Sequence, residues 1–301
     1  QLTDVFEQIK AGGAKSSKSK GLLDIGVTTL PHLPKDAGDR NRTSPFAFCG
    51  NRFEFRAVGG SQSIAGPLIA LNTAITESLD YVATKLESSV ASGTRLNQAI
   101  QDVLATIMKE DGGVIFNGNG YSAEWHAEAE KRGLPNYRTT VDALAVLTKP
   151  ETVKAFEKYE ILTPRELHSR YEIYVEQYNK YVNVEAKLTT KIAKTTILPA
   201  ALAYLGTLGQ GIASAKAGGF SVSTKLGEQV SSLTADLEKA IGSLEAATAH
   251  TAKDALDEAK HLRDKVLPAM LAVRSAADSL EAVVADDAWP LPTYQEMLFI
   301  R

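Results

Sequence analysis

Cysteine is almost absent from this chain. Cys49 stands alone among 301 residues, which excludes an internal disulfide and a cysteine-based metal site and fits a reducing, cytoplasmic setting. Net charge is nearly absent too: 33 Lys and Arg against 36 Asp and Glu leave a formal charge of -3 and a pI near 6.0. Bulk electrostatics therefore gives no reason to expect nucleic acid or an anionic membrane as partner. No apolar run approaches the roughly 20 residues that span a bilayer. The longest candidate, Thr196 to Ala213, is interrupted by Pro199, Gly206, Gly209 and Gly211, so no membrane span is expected. The chain opens Gln1-Leu2-Thr3, without initiator methionine or signal peptide, which leads to the expectation of a start inside a longer protein. No internal repeat is expected.

What is present is a 44% hydrophobic content, enough to fill a real core. The first sixty residues are rich in Gly, Pro, Ser and Lys, with Gly12 to Lys20 reading as a loop and Pro31 and Pro34 blocking helix. Beyond Ser61 the texture changes to apolar residues at helical spacing, over Ile64 to Ser89 and Arg95 to Lys109. A boundary is expected near residue 110. Further on, Asn117-Gly118-Asn119-Gly120 reads as a turn into a helix capped by Ser122.

Three long helices are expected in the second half. The first starts at Thr163-Pro164-Arg165-Glu166, where Thr163 caps, Pro164 suits the first helical position and Glu166 closes a capping box. Tyr171, Tyr174, Tyr178, Tyr181, Leu188 and Ile192 then recur at steps of three and four. This stripe is read as helix packing, with an aromatic ligand groove as the alternative. After Ala217-Gly218-Gly219, one helix carries Leu226, Val230, Leu233, Leu237, Ile241 and Leu244. The other carries Leu262, Val266, Ala269, Val273, Ala276, Leu280 and Val283, with Pro268 bending it. Together they make an antiparallel bundle, onto which the tail from Trp289 to Ile300 docks. The five histidines, His32, His126, His168, His250 and His261, show no metal-ligand spacing. His250 and His261 are placed about three turns apart, roughly 16 Å, too far to share an ion.

The most chemically loaded stretch is Phe46-Ala47-Phe48-Cys49, Gly50-Asn51, Arg52-Phe53-Glu54-Phe55-Arg56. A two-residue Gly-Asn loop between alternating segments is a hairpin signal. Counting outward pairs Cys49 with Arg52, Phe48 with Phe53, Ala47 with Glu54 and Phe46 with Phe55. One face then carries the phenylalanines and the other Arg52, Glu54 and Arg56. Side chains two apart lie roughly 7 Å from one another. Two guanidiniums can take phosphate oxygens, and the carboxylate between them can hold a divalent cation. The same pattern also suits an exposed strand whose Arg and Glu pair with each other.

These residues resemble glutamine synthetase, specifically its large type III class. The resemblance lies in Asp39-Arg40-Asn41-Arg42-Thr43-Ser44-Pro45-Phe46-Ala47-Phe48 with Asn51-Arg52-Phe53-Glu54-Phe55-Arg56, similar to the family's Asn-Arg segment and Arg-x-Glu-x-Arg strand. Support comes from Phe116 to Ser122, Glu166 to Glu172 and Leu291-Pro292-Thr293-Tyr294. It implies an α+β, predominantly helical chain: residues 1–110 as the carboxy-terminal part of the catalytic domain, and 111–301 as a helical extension. It implies ligation of ammonia to glutamate with ATP and Mg2+ or Mn2+, in a ring-based homo-oligomer. By position, Glu54 matches a metal ligand and Arg56 the arginine on the transferring phosphate and substrate carboxylate. Arg52 matches a nucleotide-side arginine, and Arg42 one near the ATP phosphates. A further family arginine five residues after Arg42 is replaced by Ala47. The family's paired metal-binding glutamates, its asparagine-glycine loop, its flexible loop and its amino-terminal sheet domain precede the Asn-Arg segment, and none lies in the forty residues before it here. The isolated chain is therefore expected to be inactive. The competing reading is a non-enzymatic helical interaction module.

Overall fold

A computed structural model of the chain describes residues 2–13, 16, 22–23, 33–34, 46–48, 52–56, 63–292 and 294–298. In chain order the elements are α1 (Leu2–Lys10), β1 (Leu22–Leu23), β2 (Leu33–Pro34), β3 (Phe46–Phe48), β4 (Phe53–Phe55), α2 (Ala65–Ala91), α3 (Leu96–Glu110), α4 (Ala123–Lys131), α5 (Thr140–Leu144) and α6 (Pro150–Lys158). There follow α7 (Pro164–Ile192), α8 (Leu198–Ala217), α9 (Lys225–Thr248), α10 (Ala255–His261), α11 (Leu267–Glu281) and α12 (Tyr294–Leu298). The α+β, mainly helical class expected from the sequence is what forms. Two antiparallel strand pairs, β1 with β2 and β3 with β4, make up the described sheet. The chain divides into two compact units, Gln1–Arg138 with Lys154–Ile161, and Thr139–Val153 with Leu162–Arg301.

In the first unit α1 and α2 both pack on α3. α2 ends in a Schellman turn, in which Gly93 at φ +97° donates to Val90 and Thr94 donates to Ser89. The helix buries Thr73 alone. On that same side Lys158 reaches Asp80 at 2.7 Å and Glu77 at 3.1 Å, while the Tyr159 hydroxyl donates to Asp80 at 2.8 Å. The opposite side holds Ile64, Leu68, Leu71, Ile75, Leu79, Val82 and Leu86 at steps of three, four and seven, one stripe by helical geometry. Ile75 and Leu79 are 55% and 64% exposed. Ile64 and Leu68 are exposed as well, whereas Leu71, Val82 and Leu86 of the same stripe are half-buried.

The second unit is the expected bundle. Val230, Leu237, Ile241 and Leu244 of α9 meet Val273, Ala277 and Leu280 of α11 and Val182, Ala186 and Ala201 from α7 and α8. Each fully enclosed leucine contributes about 1.5–3 kcal/mol of transfer free energy. Thr163 forms the capping box that the sequence signals, its hydroxyl accepting from the Glu166 N–H at 3.3 Å while Glu166 accepts from the Thr163 N–H at 2.8 Å. Of the tail, Trp289 and Leu291 pack on the bundle core, whereas Met297 and Leu298 are 62% and 79% exposed.

Two expectations are corrected. The α7 seam is Leu167, Val175, Asn179, Val182 and Ala186, which leaves Tyr181 and Leu188 exposed. Small and β-branched residues at the contact let the helices approach closely, and Tyr171 and Tyr178 flank them. Pro199 does not interrupt the helix. Residues Ala193–Ile197 adopt a π-helical turn that carries α7 into α8, and Leu262–Val266 do the same between α10 and α11 ahead of Pro268. A proline has no N–H to give, and widening the preceding turn moves the hydrogen-bond ladder past the missing donor. The run Pro164–Ala217 is in consequence one helix, and by length and apolar composition it contains a segment able to cross a bilayer. Within the bundle Leu198, Tyr204, Leu205 and Leu208 of this run pack against the core. The two turns lead into similar segments, Ile197-Leu198-Pro199-Ala200-Ala201-Leu202-Ala203 and Val266-Leu267-Pro268-Ala269-Met270-Leu271-Ala272.

Candidate active site

The β3–β4 register is Phe46 with Phe55, Ala47 with Glu54 and Phe48 with Phe53, the pairing that residue counting gives. Period-two alternation puts Glu54 on the face opposite Phe53 and Phe55, with Arg52 and Arg56 flanking the strand on Glu54's side. Arg56 donates to Glu54 Oε2 through Nη2 at 2.8 Å and Nε at 3.3 Å. Arg52 Nη2 lies 3.8 Å from Oε1. The carboxylate is therefore bracketed by guanidiniums, tightly on one side and loosely on the other. These pairs are partly solvated, Arg52 most of all at 72% side-chain exposure. Ion pairs of this kind add little stability, so a phosphate can compete for the arginines and a cation for the carboxylate. Phe53 and Phe55 on the other face are 59% and 50% exposed.

The structure thus brings together Arg52, Glu54 and Arg56. Arg42, Cys49, Gly50 and Asn51 lie outside the described residues, so the fourth predicted residue and the turn have no described position. Glu54 fits one ligand position of a hard divalent cation, which takes about six oxygen ligands. Among the described residues no group of three or more His, Cys, Asp or Glu could hold a metal. The remaining ligands of any such ion would come from elsewhere.

Other polar sites lie away from the hairpin. Asn119 Oδ1 accepts from the Tyr121 N–H at 3.0 Å, and Ser122 caps α4 by accepting from the Trp125 N–H, so the Asn-Gly run is the turn that the sequence predicts. The 16 Å separation expected for His250 and His261 is wrong: their rings stack with centroids 3.9 Å apart. No continuous helix joins them. α9 stops at Thr248, and the chain turns before Asp254 caps α10. His126, without metal-ligand spacing as expected, lines a polar cavity beside α4 with Arg138. The available signal was Gly133, which reverses the chain directly after α4.

In this chain a hairpin with a charged strand face precedes a long-helix bundle. Residues 99–216 match the glutamine synthetase C-terminal domain. The type-3 glutamine synthetase of Dictyostelium discoideum is 40% identical over 294 residues, 93% of this chain and 39% of that protein. A glutamine synthetase of Butyrivibrio fibrisolvens is 32% identical over 306 residues, 99% of this chain and 43% of that protein. One of Bacteroides fragilis (strain YCH46) is 30% identical over 313 residues, 100% and 42% of the respective chains. The chain belongs to the glutamine synthetase family. Its likeness is to the type-3 class in particular, and it spans about two fifths of the length of the curated relatives it matches.

Proposed function

We propose that this chain forms one wall of the active site of a glutamate–ammonia ligase that makes glutamine with ATP through γ-glutamyl phosphate. The observation that carries the reading is the hairpin register, which sets Arg52, Glu54 and Arg56 on one strand face with the carboxylate between the guanidiniums. Arg56 holds the transferring phosphate and the substrate carboxylate, where its fork geometry offsets charge that builds in the transition state. Arg52 and Arg42 face the nucleotide phosphates. Glu54 holds one divalent cation, Mg2+ or Mn2+, which when bound screens the phosphate charges. Glutamate and ammonia are the substrates, and the working protein is a cytoplasmic, ring-based homo-oligomer.

The exposed Leu68, Ile75 and Leu79 of α2 and the exposed Phe53 and Phe55 support a protein that works together with further polypeptide of the same family. On this reading the isolated chain lacks the metal ligands that complete the site. It makes no glutamine in an ATP-coupled assay, and glutamine formation by the chain alone would refute the division of the site.

A second reading, a helical interaction module without catalysis, is favoured by one observation: Glu54 already pairs with both arginines. It predicts that a protein of the relatives' length containing this chain has no affinity for ATP or Mn2+. Calorimetric titration of that protein with each separates the two readings.

A further inference from the structure

We infer that the polar cavity beside α4 is a binding site for a small zwitterion of the α-amino acid class. The cavity measures about 500 Å³ and shares no residue with the hairpin. α4 is fixed from behind: Phe116 stacks on Trp125 with centroids 3.8 Å apart, and Arg132 bonds Glu128 at 2.8 Å and the carbonyls of Gly113 and Ile115 at 3.2 Å. The helix closes in a Schellman turn, Gly133 at φ +78° donating to Glu130 and Leu134 donating to Ala129. That turn sends residues 134–138 back along the opposite side of the helix. Ala123, His126, Ala127 and Glu130, at steps of three and four, therefore share the cavity with Asn136 and Arg138. The two alanines leave the floor open.

Charge selects the ligand. Glu130 and Arg138 line one cavity without pairing with each other, and Glu130 has no ion-pair partner among the described residues. Arg138 donates to His126 Nδ1 at 3.3 Å. A guanidinium can only donate, so this bond makes Nδ1 the acceptor and leaves Nε2–H as the ring's donor. Arg138 and the His126 Nε2–H together present donors to a carboxylate, and Glu130 presents an acceptor to an ammonium, with the Asn136 amide adding a neutral partner. A ligand with one charge would leave the opposite cavity charge unmatched. A zwitterion that carries its ammonium and carboxylate on one carbon matches both.

The test uses the whole 301-residue chain with L-alanine as probe, because its methyl side chain adds no charge of its own, and with acetate and ethylammonium as single-charge controls. Amide resonances are followed by NMR. L-Alanine is expected to shift amides of residues 123–138 saturably, and Arg138→Gln and Glu130→Gln are each expected to raise its Kd at least about tenfold, equivalent to ~1.4 kcal/mol. Both side chains are exposed, and unchanged circular dichroism checks that each variant is folded. The inference is overturned if L-alanine gives no saturable shifts, if acetate or ethylammonium saturates the same amides as tightly, or if both substitutions leave the Kd unchanged.

Discussion

Two long helices of this chain treat their apolar residues in opposite ways. α9, in the second unit, encloses Val230, Leu237, Ile241 and Leu244 to 4% exposure or less, whereas α2, three residues longer, encloses only Thr73. The difference does not lie in composition, since α2 has the higher apolar content. It lies in which face is used. α9 turns its heptad stripe onto α11 and α8, while α2 is held on its polar side by Lys158 and Tyr159 and leaves Leu68, Ile75 and Leu79 of its stripe exposed. A bundle with a closed core can stand by its own packing. Leu68, Ile75 and Leu79 of α2 and Phe53 and Phe55 of the hairpin, all exposed, belong to the first unit.

The comparison can be broken most strongly by truncating one leucine from each helix. Leu244→Ala, at a wholly enclosed site, is expected to cost about 2–5 kcal/mol in the unfolding free energy of the bundle. Leu79→Ala on the open stripe is expected to change stability by no more than about 0.5 kcal/mol. Urea denaturation of the two variants measures both, and equal losses would contradict the assignment of open and closed faces. A smaller effect is expected at the head of α7, where Thr163→Ala removes the cap and costs about 1 kcal/mol, read as a lower melting temperature of the second unit.

The smallest effect is electrostatic and belongs to the first unit. Hydrogen bonds from Tyr159 and Lys158 hold the Glu77 carboxyl below its usual range, and Lys158 and Tyr159 do the same for Asp80, while Asp80 chiefly raises Lys158. Depressed carboxyls stabilise the fold above the unfolded carboxylate range and lose that contribution as pH falls through the folded values. Lys158, being raised, keeps its contribution at neutral pH and loses it only in strong alkali. The link between α2 and α6 should therefore loosen below about pH 4. Lys158→Met should flatten that acid dependence when hydrogen exchange of α2 is followed between neutral and acid pH, and an unchanged slope would contradict the assignment.

Local chemistry made much of this legible in advance. The Gly-Asn pair and strict alternation fixed the hairpin register, and Thr163-Pro164-Arg165-Glu166 fixed the start of α7. What was not legible depends on backbone rearrangement or on where a turn sends the chain. Side-chain periodicity runs unbroken through Pro199 and Pro268, so nothing in it reveals that the ladder widens to π there. Placing His250 against His261 requires knowing that α9 stops at Thr248, a stop carried only by the Asp254 cap six residues on. The tyrosine stripe misled by about one helical position because large side chains flank a close helix contact and small ones fill it. The hairpin triad was legible as a set of residues, yet its internal pairing, Arg56 tight and Arg52 loose on Glu54, emerges only from the geometry.

The central claim is that the hairpin face is catalytic. The most direct test is Arg56→Ala in a protein of the relatives' length that contains this chain, assayed for ATP-dependent glutamine formation alongside its oligomeric mass. The account predicts that turnover is abolished while assembly is unchanged. Near-normal turnover with assembly intact would contradict it.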